Sequence, residues 1–129
     1  MLREKTSTDI LNICKDWNYD YVIKCYGEAW GYYENYYFFK KDGTCAIMYS
    51  NDVVPREEIS LNHPITLGDL KVPVGVLAAC DTGEAEIYIV KDEKLMLVDK
   101  HWCDRDIKII KEIEERLRQL IKDGVIKWF

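Results

Sequence analysis

Four consecutive rings, Tyr36-Tyr37-Phe38-Phe39, constrain this 129-residue chain more than any other feature. Such a run suits a pleated strand. On a strand, successive side chains take opposite faces, so this one places large rings on both sides of its sheet. A long helix can cover one side. The other then needs the N-terminal helix, a loop or another molecule. The run belongs to a wider concentration in which Trp17, Tyr19, Tyr21, Tyr26, Trp30, Tyr32 and Tyr33 bring eleven of the sixteen aromatic residues into positions 17–39.

Asp42-Gly43 after this run, with Cys45-Ala46-Ile47-Met48-Tyr49 beyond, predicts a hairpin in which both turn residues take positive φ. Upstream, Ile10, Ile13, Cys14 and Trp17 recur at helical spacing behind a cluster of Ser, Thr and Asp, which predicts a helix over 6–17. Strands are expected within 20–39, broken near Gly27 and Gly31. Pro55 and Pro64 mark 51–68 as loop with one short ordered piece. Residues 72–79 read as a strand that Pro73 confines to an edge or an end. Strands at 84–90 and 94–98 flank Lys91-Asp92-Glu93 as a second hairpin, with Ala85, Ile87 and Ile89 toward the core and Glu84, Glu86 and Tyr88 toward water.

A helix over 104–123, N-capped by Asp104, carries the stripe Ile107, Ile110, Ile113, Leu117, Leu120 and Ile121 and stops at Gly124. Beyond it, Trp128 and Phe129 are expected to fold back on the domain. The expectation is one α+β domain over 1–129: a mainly antiparallel sheet of about five strands, packed on one face by a long C-terminal helix with a short N-terminal helix alongside.

Met1-Leu2-Arg3-Glu4-Lys5 lacks the apolar run of a secretory signal, and no apolar stretch approaches the roughly twenty residues that span a bilayer. Five cysteines, Cys14, Cys25, Cys45, Cys80 and Cys103, are odd in number, widely spaced and without a Cys-x-x-Cys pair. They read as small buried hydrophobes of a reducing cytoplasm. The net charge of −5 is concentrated in the middle of the chain. Asp42, Asp52, Glu57, Glu58 and Asp69 face Arg56 alone, and Asp81, Glu84, Glu86, Asp92, Glu93 and Asp99 face only Lys91 and Lys94. This balance repels phosphate backbones and draws basic surfaces, which excludes direct nucleic-acid binding from the expected functions.

Asp81-Thr82-Gly83, preceded by the apolar Val76-Leu77-Ala78-Ala79-Cys80, resembles the catalytic tripeptide of retroviral-type aspartic proteases. The resemblance implies a catalytic role for Asp81. It stops at Glu84, where those proteases place a small residue, and the chain gives a long amphipathic helix in place of their second half. A turn in which Asp81 bonds its own backbone and Gly83 takes positive φ explains the same three residues. His101-Trp102-Cys103-Asp104 offers a thiol, a base and a carboxylate, but triads are defined by geometry. With two histidines, His63 and His101, and no paired ligand spacing, no metal site is expected. The glycine-rich phosphate loops and the serine-elbow and zincin signatures are absent, so no cofactor is expected.

The preferred expectation is a small acidic protein-binding module without catalysis, resembling in size, charge and lack of catalytic marks the immunity proteins that protect bacteria from toxins. Tyr19, Trp30, Tyr32 and Tyr33 are its expected aromatic anchors, and Asp52, Glu57, Glu84 and Glu86 its acidic contacts for a basic protein partner. The rivals are a small hydrolase using Cys103 or Asp81 and a self-associating structural subunit.

Overall fold

The computed structural model describes residues 5–28, 31–72, 83–101 and 107–127. Helix α1, Ser7–Trp17, starts where Thr6 accepts the Asp9 N–H and the Asp9 carboxylate accepts the Thr6 N–H, a reciprocal cap. Asn18 ends it in the left-handed region, at φ 61°. Strands β1 (Tyr21–Gly27), β2 (Tyr33–Phe39) and β3 (Thr44–Met48) follow, then a two-residue β4 (Ile59–Ser60) and a single helical turn, α2 (Leu67–Leu70). Strands β5 (Glu84–Lys91) and β6 (Lys94–His101) precede helix α3, Lys108–Lys122. The six strands form one antiparallel sheet in the order β4-β3-β2-β1-β5-β6.

Both faces of this sheet are covered, as the ring run requires. Ile23, Cys25, Tyr37, Phe39, Cys45, Ile47, Ala85 and Ile87 meet the α3 residues Ile109, Ile110, Ile113, Leu117 and Leu120 in the larger core. On the other face Val22, Tyr36, Phe38, Ala46 and Met48 meet Ile10 and Cys14 of α1. The N-terminal helix therefore lies opposite α3 instead of alongside it, because its two buried residues match the set of rings that α3 cannot reach.

Two further expectations about α3 change. Its first turn follows Ile107, which supplies no side-chain cap, and Asp104 lies outside the described residues. Ile121 is exposed, and Ile109 replaces it in the buried stripe. The helix closes on Gly124 at φ 73°, with Gly124 N–H donating to Ile121 O and Val125 N–H to Leu120 O, the paired bonds of a Schellman end. Ile126 is buried, whereas Trp128 and Phe129 lie outside the described residues, as does the strand expected at 72–79 from Pro73 onward.

The pair of left-handed turn residues expected at the first hairpin occurs at the second instead. At the first, Gly43 N–H donates to Lys40 O and Lys40 N–H to Thr44 O, and only Gly43 has positive φ (98°). A side chain there would also strike the His63 carbonyl. Asp42 instead accepts the Thr44 N–H at 2.9 Å. At the second, Asp92 (φ 51°) and Glu93 (φ 61°) both take the left-handed conformation between Lys91 and Lys94, without a glycine. Further along this pair, Ile87 faces Asp99 while Tyr88 faces Leu97, so Val98 is an extra residue and the strand bulges.

Candidate binding face

The register places side chains in rows across the α1 face, since directly paired residues of antiparallel strands share a face. One row reads Ala46, Phe38, Val22 and Tyr88, and α1 lies over this part of the sheet. The next reads Tyr36, Lys24, Glu86 and Lys100, and the one beyond reads Glu34, Tyr26 and Glu84. Along β2, β1 and β5 the face thus changes within two residues from an apolar bed into a network of tyrosines, glutamates and lysines, while β3 stays apolar with Met48 beside Tyr36.

Glu34 anchors that network and is the buried charged side chain among the described residues, 2% exposed. Its carboxylate accepts the Tyr36 hydroxyl at 2.6 Å and meets the Lys24 ammonium at 3.4 Å. The Ser50 hydroxyl holds its backbone by accepting its N–H and donating to its carbonyl. Lys24 also stands over the Tyr26 ring, 5.1 Å from its centre. The Tyr26 hydroxyl donates to Glu84 and, at 3.4 Å, to Glu86, whose other oxygen accepts the Tyr88 hydroxyl at 2.6 Å. Lys100 closes the row on Glu84 at 3.5 Å.

Burial and then the neighbouring glutamates push the Tyr26, Tyr36 and Tyr88 hydroxyls well above the usual tyrosine range, so they stay protonated and keep donating. The Tyr26 hydroxyl and then Lys100 hold Glu84 below the ordinary carboxylate range. The result is a pair of half-exposed carboxylates in fixed orientation, with tyrosine rings between them.

Of the sequence-predicted residues, the structure brings Glu84 and Glu86 together here, on a face that is partly covered instead of fully wet. Tyr32 is 38% exposed and lies near enough to act on the Tyr36 hydroxyl. Tyr33 is half-buried against the α3-side core, its hydroxyl packed over Gly83, where a side chain would collide with it. Tyr19 is a core residue, 3% exposed and stacked on Phe38 at 5.2 Å, because the chain reversal after α1 turns its ring under the helix. Trp30 lies outside the described residues.

Asp52 and Glu57 belong to the β3–β4 connection and do not join the network. The Arg56 guanidinium takes both Asp52 oxygens, at 2.9 and 3.3 Å, and together with the Tyr49 N–H it outweighs the effect of burial and lowers the Asp52 pKa. Glu57 is exposed beside Glu58, which pairs with Lys40. The sequence reading missed Lys24, Tyr26, Glu34, Tyr36, Tyr88 and Lys100 as one set. A signal existed, since Lys24 with Tyr26, Glu34 with Tyr36 and Glu84 with Glu86 and Tyr88 each stand two apart on a strand.

Asp81 and Cys103 lie outside the described residues, and no group of side chains among the described residues has the makings of a metal site. Burial pushes the Cys14 and Cys45 thiols up to about 12, which leaves them without nucleophilic thiolate near neutral pH. No helix among the described residues is long and apolar enough to cross a membrane. A separate cleft of about 520 Å³ opens between α1 and the loop after β3, lined by Lys5, Asp9, Asn12, Ile13, Ser50, Asn51, Asp52 and Val53. Comparison with protein-family models, curated proteins and solved structures found no match.

Proposed function

We propose that this chain is a non-catalytic cytoplasmic binding module that neutralises a basic protein, in the manner of an immunity protein or stoichiometric inhibitor, and that the Tyr26–Glu84–Glu86–Tyr88 face is its contact. The observation that carries this reading is the fixing of two half-exposed carboxylates by tyrosine hydroxyls. Acceptors already held in place lose little freedom on meeting a cationic side chain, and the flanking rings add contact area at low rotamer cost. The acidic balance of the chain would speed the encounter.

The test is a titration of isotope-labelled protein with an octa-arginine peptide, followed by backbone amide shifts. Shifts should centre on β5, Tyr26 and Lys100, fade as salt rises, and vanish in the double variant Glu84→Lys, Glu86→Lys. Equal shifts at Glu57, Asp92 and Glu93 would reduce the effect to general charge attraction and remove this face from the mechanism.

A further inference from the structure

The cleft between α1 and residues 50–53 has a different chemistry from the tyrosine–glutamate face, and its charged groups are largely committed within the chain. The Lys5 ammonium donates to Ser50 O at 3.0 Å, Asp9 caps the start of α1, and Asp52 is clamped by Arg56. Among the described residues, the exposed hydrogen-bonding side chains that remain to define its ligand are the carboxamides of Asn12 and Asn51. A carboxamide carries both donors and an acceptor, the complement of a peptide group, which offers one N–H and one C=O.

The apolar part of the lining points to the same class of ligand. Ile13 and Val53 flank the carboxamides, and Val53 is 83% exposed. Aliphatic walls suit aliphatic side chains, whereas a sugar ring would call for an aromatic platform. The volume falls in the range of small-ligand sites and is ample for a short stretch of chain.

From this combination we infer that the cleft binds a short, uncharged, extended peptide segment of a protein partner, with Asn12 and Asn51 clasping its main chain and Ile13 and Val53 receiving an aliphatic side chain. The inference rests on the reading of the chain as a protein-binding module and adds a second, uncharged contact to it. The cleft adjoins the first face through Ser50, whose hydroxyl bonds the Glu34 backbone, so the two proposed contacts are neighbours.

The experiment follows amide shifts of labelled protein with three probes: the capped tetrapeptide acetyl-Gly-Val-Val-Gly-amide, the same peptide N-methylated at both valines, and maltotriose. The unmodified peptide should shift Asn12, Ser50, Asn51 and Val53, including the two side-chain carboxamides. N-methylation, which removes N–H donors, should weaken binding by on the order of fivefold or more, and Asn12→Ala or Asn51→Ala by about as much, the worth of one neutral hydrogen bond. Both asparagines are surface residues, so an unchanged melting temperature accompanies the loss. Equal binding of the N-methylated peptide, or shifts with maltotriose and none with the peptide, would overturn the assignment. Octa-arginine shifts at Glu84 and Glu86 report on the first face separately, so each reading fails by its own signal.

Discussion

The two faces of the sheet share the same strands and differ in what completes them. Under α3 the sheet is apolar from β3 to β5 apart from Asn35, and the helix supplies five buried aliphatic residues that pack on it. On the opposite face α1 buries two, Ile10 and Cys14, and beyond the Val22 row β1 and β5 carry Lys24, Tyr26, Glu84 and Glu86, a mixed polar surface. There hydroxyl-to-carboxylate bonds hold the polar groups in place, with Glu34 and Tyr36 buried and Glu84 and Glu86 half-exposed. The lesson is that one face is filled by apolar packing, while the other combines a smaller core with fixed polar groups.

The largest expected effect breaks the α3 side. Leu117→Ala, at a residue 1% exposed, should cost roughly 2 to 5 kcal/mol of folding stability by leaving a cavity, read from denaturant midpoints with the slope unchanged. A loss below 1 kcal/mol would mean that α3 packs too loosely to be the principal core.

The next effect tests the polar side. Lys24→Met removes the cation facing Glu34 and leaves a buried carboxylate with the Tyr36 hydroxyl, at an expected cost of about 2 kcal/mol. This figure is set below that of a fully buried pair because Lys24 is a quarter exposed. Adding Glu34→Gln should recover part of the loss. Should the double variant be as unstable as the sum of the single ones, the pair is not coupled.

A third prediction uses pH. Tyrosine in the unfolded chain ionises near 10, and Tyr26, Tyr36 and Tyr88 are held higher in the fold. Their contribution is therefore complete below pH 10 and is lost as pH rises from there toward the folded values. Stability measured from pH 9 upward should fall, and Tyr36→Phe together with Tyr88→Phe should flatten that fall. An alkaline decline of the same steepness in the variant would point to other groups.

The smallest effect on folding is the most telling for function. Glu84→Lys with Glu86→Lys, both at half-exposed positions, should change stability by less than about 1 kcal/mol while abolishing octa-arginine binding. A steep drop in melting temperature would make these glutamates structural braces instead of contacts.

Much of this comparison was legible in the sequence, and its limits have physical causes. The rings at 36–39 demanded two covered faces, and Ile10, Cys14 and the 107–120 stripe announced the covering helices. Which helix takes which face was not legible, because both stripes are simply apolar. Both hairpins occur where expected, but the turn of the first does not follow its composition: Asp42-Gly43 suits two left-handed residues, yet the loop is longer by the use of Lys40 and Lys41, while Asp92-Glu93 adopts that conformation without glycine. Tyr19 read as a possible anchor since a ring next to a helix end has no periodicity to mark it as interior. The burial of Glu34 was not legible, because glutamate alternating with tyrosine describes a wet strand as well as a buried network.

The bulge at Val98 bears on how far this sheet can extend. Around it β6 loses strict alternation: Asp99 is set beside Ile87 on the α3 side, next to an extra residue that also packs against that core. Lys94 and Lys100 flank the irregularity. A second strand laid along the outer side of β6 would find its side-chain order out of phase halfway along, and it would have to bring charge against charge to continue. Fibre growth by strand addition needs a straight, repeating template, and at the β6 end of the described sheet the chain presents a terminus to that process instead of a seed.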